Sequence, residues 1–171
     1  EAGKQTATMG QTLTVAENSI VKITVKFISP SKDSIKKTYS VYHVDLICGD
    51  VTGLINSDSP EYNDPTNPTT KIEKQFFKSD WTAEGNYFSF SYEIKADKSK
   101  YLRLRGTNIP LNTTNESDAN GNPLVDSLVG ENSDVKALAD LWFYSNPIFI
   151  KVTKIIKCIK TSYLNYNTVS W

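Results

Sequence analysis

Residues 87–96 read YFSFSYEIKA, and this stretch decides the fold. Every second side chain in it is apolar, and the four apolar positions are Phe88, Phe90, Tyr92 and Ile94. The residues between them are serine, glutamate and lysine. Because successive side chains of a strand point to opposite faces, this spacing predicts a strand with one buried face and one face in solvent.

The same alternation recurs along the chain, as in residues 21–27, which read VKITVKF. Further strand candidates are Thr12–Val15, Val41–Cys48, Lys71–Phe77, Tyr101–Arg105, Leu141–Tyr144 and Ile148–Lys154. Turn-forming residues separate these runs, for example at 29–31 and 83–86. We therefore predict an all-β fold, an antiparallel β-sandwich of immunoglobulin-like or jelly-roll-like type.

The length of 171 residues suits one sandwich domain, which we place at residues 11–171. Residues 1–10 carry no strand pattern and are expected to form a disordered or processed flank, which favours a secreted or cell-surface protein. Two loops are long, at 56–70 and 108–132. At most one short helix is expected, at 133–139, where Ser133 is a possible N-cap.

The charge balance and hydropathy restrict the partners. Lysine plus arginine and aspartate plus glutamate number 19 each, so no net positive field attracts a polyanion. No apolar run approaches the roughly 20 residues of a transmembrane helix. We expect neither nucleic-acid binding nor a membrane span.

The chain has two cysteines, Cys48 and Cys158, each within an apolar, strand-like run. Free cysteine is among the most buried residue types, so two buried thiols are one reading. A single disulfide joining the middle of the chain to its end is the other, and an oxidising compartment would permit it.

The chain has one histidine, His43, within the strand-like run Val41–Cys48. It is expected to be a strand-face residue, because catalytic and metal centres built on imidazole usually need further partners. A glycosidase needs only paired carboxylates, and the acids near predicted strands are Asp45, Asp50, Asp80, Asp126 and Asp140. We expect no enzyme activity and no cofactor, with the carboxylate alternative left open.

A polar loop offers hard oxygen ligands of the kind that calcium takes, at Asp118, Asn120, Asn122 and Asp126. It lacks the order of acids found in an EF-hand. The Asn-Gly pair at 120–121 is also a plain turn signal. A turn and a calcium loop are both compatible with these residues.

The only arginines are Arg103 and Arg105, in a chain otherwise supplied with lysine. Their spacing of two places both on one face of a strand. Arginine is preferred where planar, bidentate pairing must be held rigidly. We expect buried or half-buried pairs with acids such as Asp80 or Asp140, or else a site for a ligand anion.

Large aromatic residues form two groups, Trp81 with Tyr87 and Trp142 with Tyr144. They could build a stacking platform for a sugar. In a sandwich, however, such residues usually pack in the core or on a sheet face. A contiguous exposed patch would favour binding.

Several longer segments carry a resemblance to a known family, and they are residues 43–53 (HVDLICGDVTG), 78–81 (KSDW), 101–108 (YLRLRGTN), 118–126 (DANGNPLVD) and 140–150 (DLWFYSNPIFI). Together they resemble the C-terminal β-sandwich region of secreted bacterial proteins of the PHP metallophosphoesterase type. That resemblance covers roughly residues 11–152 and implies an accessory module after a catalytic domain. No metal ligand or catalytic residue of the family is matched, and residues 153–171 depart from its pattern.

These observations lead to one expected function and one alternative. The first is a non-catalytic accessory β-sandwich of a secreted or surface-associated bacterial protein, whose partner would be a PHP-type hydrolase domain. The second is a carbohydrate or cell-surface binding module. The residues expected to bind in that case are Trp81, Trp142, Tyr144, Arg103 and Arg105.

Overall fold

The computed structural model describes residues 5–30, 39–125, 141–154 and 167–171. Its first sheet has five strands in the order β1-β11-β3-β7-β6. Their bounds are Thr6–Ala7 (β1), Ser19–Phe27 (β3), Thr82–Glu84 (β6), Tyr87–Ala96 (β7) and Asn167–Ser170 (β11). Strand β7 contains the alternating stretch that decides the fold, and it pairs with β3 along the whole of β3.

The second sheet has six strands in the order β2-β10-β8-β4-β5, with β9 also beside β8. Their bounds are Thr12–Ala16 (β2), His43–Asp50 (β4), Lys71–Phe77 (β5), Lys100–Thr107 (β8), Trp142–Tyr144 (β9) and Ile148–Thr153 (β10). Strands β9 and β10 follow the same edge of β8, on the side away from β4.

The core lies between the two sheets. Alternate residues of each long strand face it, as the period of two requires. Its wholly buried apolar members include Val21, Ile23, Val44, Leu46, Leu102, Ile148 and Val169. Phe76 of one sheet stacks on Phe90 of the other, with ring centroids 4.0 Å apart. The predicted all-β sandwich is confirmed.

Most of the described strand pairs are antiparallel, as predicted, but both sheets are mixed. Strand β11 runs parallel to both β1 and β3, and β10 runs parallel to β2. Parallel neighbours need a long crossover between them. In this protein the crossover between parallel neighbours spans most of the sequence, because strands from near the start and near the end of the sequence lie side by side. Period-two patterns are the same for both strand directions, so the sequence could not distinguish them.

Part of the N-terminal flank belongs to the first sheet. Thr6 and Ala7 pair with Thr168 and Val169, and Ala7 is buried in the core. The first long loop contains a 3-10 turn at Pro60–Asn63. The predicted short helix at 133–139 lies outside the described residues. Among the helical segments that the structure describes, none has the length and apolar character needed to cross a bilayer.

Candidate functional site

The outer face of the second sheet holds most of the residues that the sequence singled out. On β4, Val44, Leu46 and Cys48 belong to the core. The residues between them therefore point to the opposite, outer face. Paired residues on neighbouring strands share a face, so the outer face also includes Arg103 and Arg105 of β8.

Half of this face is covered by residues 109–123, and we call it the covered half. Beneath the loop, the carboxylate of Asp45 accepts two hydrogen bonds at Oδ2 from Arg105, from Nε at 2.9 Å and from Nη2 at 2.7 Å. Its Oδ1 accepts a bond of 3.0 Å from the amide of Gln75. Arg105 Nη2 also donates to Oδ1 of Asn122 at 3.0 Å. A buried ion pair is thus satisfied by further hydrogen bonds, as burial demands.

This geometry identifies the partner of Arg105 as Asp45. The predicted partners were acids such as Asp80 or Asp140, and Asp80 instead accepts a bond from the backbone N–H of Phe77 in the turn after β5. Asp140 lies outside the described residues. The prediction of a buried arginine pair holds for Arg105, but the acid was wrong, because cross-strand register decides the partner.

His43 lies beside this ion pair and is fully buried. Its Nε2 is 3.6 Å from Oδ1 of Asp45, beyond hydrogen-bond distance, and neither ring nitrogen has a hydrogen-bond partner among the described residues. The ring contacts the aromatic rings of Tyr42 and Phe77. In this arrangement His43 is a packed face residue, as the sequence predicted.

The environment of Asp45 favours its charged form. Burial acts to raise the pKa of this carboxyl, but the neighbouring His43, Arg105 and Gln75 side chains together outweigh burial and hold its pKa below the ordinary value. A lowered native pKa means that the unfolded chain binds the proton more readily. Asp45 therefore stabilises the fold at neutral pH.

We expect that stabilisation to disappear in acid. It is fully present above the unfolded pKa of about 3.9 and is lost as the pH falls through the lower native value. Urea unfolding between pH 6 and pH 2.5 should show the free energy of unfolding falling below about pH 4. The Asp45→Asn variant should be less stable at pH 6, should show a shallower fall, and should approach the unaltered protein in acid. Parallel curves for the two proteins would contradict this role.

The loop that covers this half is closed by a turn centred on Asp118. Its Oδ1 accepts the backbone N–H groups of Asn120 and Asn122, each at 2.8 Å, and its Oδ2 accepts the Asn122 side-chain amide at 2.9 Å. The structure therefore brings three of the four predicted calcium ligands into one turn whose bonds are internal. Asp126 lies outside the described residues, and calcium binding stays a prediction.

Gly121 brings the backbone of this loop close to His43 on the sheet. Its φ is +77°, and an added Cβ would lie 2.5 Å from Leu111 Cδ2 and 3.0 Å from His43 Nε2. Only glycine has both the backbone freedom and the small size for this position. The Asn-Gly signal seen in the sequence thus marks the residue that lets the loop reach His43.

Gly121→Ala is expected to destabilise the protein by about 1–3 kcal/mol, because it adds left-handed strain and a steric clash. Gly85→Ala is the matched control, since Gly85 also has a positive φ but an added Cβ meets nothing within 4 Å. Thermal unfolding of both variants should show the larger loss for Gly121→Ala. Equal losses would mean that the loop does not need this close contact.

The other half of the face is not covered, and we call it the open half. It is made of Ile47, Ile72, Tyr101, Arg103, Tyr144 and Phe149. Tyr144 is 48% exposed and Phe149 is 38% exposed. A groove of about 690 Å³ adjoins it, lined by Ile72, Gln75 and the loop residues Asn120 and Asn122. The six residues of the open half are therefore aromatic or apolar except for one cation, Arg103.

The exposed arginine is held at a break between β9 and β10. At this break the Ser145 hydroxyl accepts a hydrogen bond of 2.9 Å from the backbone N–H of Leu104. In a regular strand pair a backbone carbonyl would accept this bond. Pro147, which has no N–H, prevents the ladder from continuing. The bend brings the Ser145 carbonyl to Arg103, whose Nε donates to it at 3.0 Å. The Arg103 guanidinium lies 5.1 Å from the centre of the Tyr144 ring.

The two tryptophans do not form one platform. Trp142 is half-buried on β9, where the Arg105 guanidinium lies 5.6 Å from its ring centre. Trp81 lies outside the strands, directly before β6, and meets Phe27 of the other sheet edge to face with centroids 5.0 Å apart. It packs against the core. The structure thus gathers Trp142, Tyr144, Arg103 and Arg105 on one face and places Trp81 elsewhere.

The remaining candidate residues lie in ion pairs or in the core, or outside the described residues. Asp50 forms ion pairs with Lys98 and Lys100. Cys48 is a free, buried thiol, and burial raises its pKa to about 11. Cys158 lies outside the described residues, as does Asp126. Among the residues that the structure describes, no three histidine, cysteine or acidic side chains converge to hold a metal ion.

No family model, no curated protein and no solved structure matches this chain. The resemblance to the region that follows the catalytic domain in PHP-type proteins stays a prediction.

Proposed function

We propose that the chain is a non-catalytic accessory β-sandwich of a secreted or surface-associated bacterial protein, and that it binds carbohydrate on the open half. One observation carries this proposal. The outer face of the second sheet presents exposed aromatic rings, Tyr144 and Phe149, beside a fixed arginine. Such rings offer apolar area with little loss of side-chain entropy, which suits the stacking of sugar rings.

The non-catalytic part of the proposal is supported by the state of the imidazole and its neighbouring acid. His43 and Asp45 are both fully buried beneath the loop. A general acid or base must come within hydrogen-bond reach of the substrate proton. The contacts of Asp45 are with Arg105 and Gln75, which is the pattern of a structural ion pair.

Affinity electrophoresis through gels that contain soluble polysaccharides tests the proposal, with titration calorimetry on the oligosaccharides that retard the protein. We expect retardation by at least one glycan and no release of product from glycan or phosphoester substrates. Tyr144→Ala should weaken binding about tenfold, as loss of an aromatic anchor does. Tyr87→Ala is the matched control, because Tyr87 is equally exposed on the other sheet.

Three results would overturn the proposal. Measurable turnover would show that the chain is an enzyme. Failure of every glycan to retard the protein would remove the carbohydrate ligand. Equal binding by the Tyr144→Ala variant and the unaltered protein would show that the open half is not the binding surface.

A further inference from the structure

The two arginines of β8 differ in one respect that bears on the ligand. Arg105 is paired with the buried carboxylate of Asp45 at 2.7 Å. Arg103 forms no ion pair with any carboxylate among the described residues, and its side chain is exposed. The open half therefore has an arginine whose charge the described part of the protein leaves uncompensated.

The guanidinium of Arg103 is nevertheless held in place. Its Nε donates a hydrogen bond to the Ser145 carbonyl, and the guanidinium lies against the ring of Tyr144. These two contacts leave the pair of terminal nitrogens for another group. A planar guanidinium binds both oxygens of a carboxylate through two parallel hydrogen bonds, and a fixed guanidinium loses less entropy when it does so.

The surroundings of Arg103 are apolar and aromatic. Ile47 lies directly opposite it on β4, and Tyr101 is two residues before it on the same face. Tyr101 in turn pairs with the exposed Phe149 of β10. A ligand on this surface would place one anionic group on Arg103 and its rings on the aromatic side chains along the strands.

We propose that the open half binds an acidic glycan, with the carboxylate of a uronic acid on the terminal nitrogens of Arg103 and a sugar ring against Tyr144. This inference rests on the proposed carbohydrate function and adds the chemical class of the ligand. The net charge of the whole chain is zero, so the preference comes from this one arginine and not from a general positive field.

Calorimetry with three oligosaccharides tests the assignment. The first is an oligogalacturonate, the second is its methyl ester, which has the same rings without the charge, and the third is a carrageenan oligosaccharide, which carries sulfate groups but no carboxylate. We expect the free acid to bind about tenfold more tightly than the ester, a typical gain for a charge-assisted bidentate pair. The sulfated chain should bind more weakly than the free acid.

Substitutions at the arginine should remove this preference and little else. Arg103→Gln should reduce binding of the free acid to the level of the ester and leave the ester unchanged. Arg103→Lys keeps the charge but not the planar fork, so it should lose most of the preference. Lys22→Gln, at an exposed position on β3 of the other sheet, removes one positive charge away from the open half and should change nothing. Unaltered thermal midpoints will show that these surface variants are folded.

The outcomes separate the two proposals. Equal binding of acid and ester through Tyr144 overturns the acidic ligand and leaves carbohydrate binding intact. Stronger binding of the sulfated chain overturns the carboxylate assignment. An acid preference that Lys22→Gln removes as fully as Arg103→Gln overturns the specific role of Arg103. Failure of all three oligosaccharides, with a neutral glycan still bound, also rejects the acidic ligand, whereas failure of every glycan rejects both proposals.

Discussion

Replacing Arg105 with alanine is expected to lower the free energy of unfolding by about 3–5 kcal/mol, because the charge of Asp45 would stay buried without its partner. Asn122 would also lose the hydrogen bond that ties its loop to the sheet. Urea unfolding at pH 7 measures the loss. It should be accompanied by faster amide exchange in residues 109–123, since the loop loses an anchor.

Two further variants make that result specific. Lys26→Ala breaks an ion pair with Glu84 whose side chains are both about half exposed, and it should leave the unfolding midpoint nearly unchanged. Removing both charges in Asp45→Leu with Arg105→Met should restore part of the stability lost by Arg105→Ala, because no unpaired charge is left in the interior. A loss below about 1 kcal/mol for Arg105→Ala would mean that water reaches Asp45.

Replacing Ile23 with alanine is expected to lower the free energy of unfolding by about 2–5 kcal/mol, because buried apolar groups are removed and a cavity is left behind. Ile23 is fully buried at the centre of β3. Ile20, on the same strand, is 44% exposed and faces outward. Ile20→Ala should therefore cost less than about 1 kcal/mol. Thermal and urea unfolding of this pair test the register of β3, and similar losses would show that the strand does not bury the predicted face.

The fold class could be predicted because burial imposes a period of two on long strands. The strand predicted at Lys71–Phe77 has those bounds in the structure, and β7 contains the whole of the alternating stretch. Strands β1, β6 and β11 were not predicted, since each has two to four residues and none of the aromatic side chains that marked the equally short β9. Strand direction and order depend on long-range pairing, which leaves no local signal.

The candidate site was predictable in part. Spacing placed Arg103 and Arg105 on one face, and the structure agrees. It did not predict that one would be buried and the other exposed, because this difference arises from a loop that crosses only half of the face. A signal for the acid partner was available in Asp45, a carboxylate within an otherwise apolar strand, since such a charge is rarely buried unpaired.

The grouping of aromatic residues shows the same limit. Trp81 and Trp142 were equivalent candidates in the sequence, yet Trp142 lies on β9, whereas Trp81 lies outside the strands and packs against Phe27 of the other sheet. Residues near each other in sequence, such as Trp142 and Tyr144, could be assigned to one face from the strand period. Residues far apart could not, because their relation depends on strand order.

Strand β11 lies between β1 and β3 and makes a parallel ladder with each of them. During synthesis, residues 6–7 leave the ribosome long before residues 167–170 exist, so the nascent chain holds a gap in this sheet until residues 167–170 have been made. Contacts over such a separation form slowly. Until then β1 and β3 are unpaired edges, and a strand from another molecule could occupy the gap between them. Expression at low temperature or with a chaperone should therefore improve a poor yield.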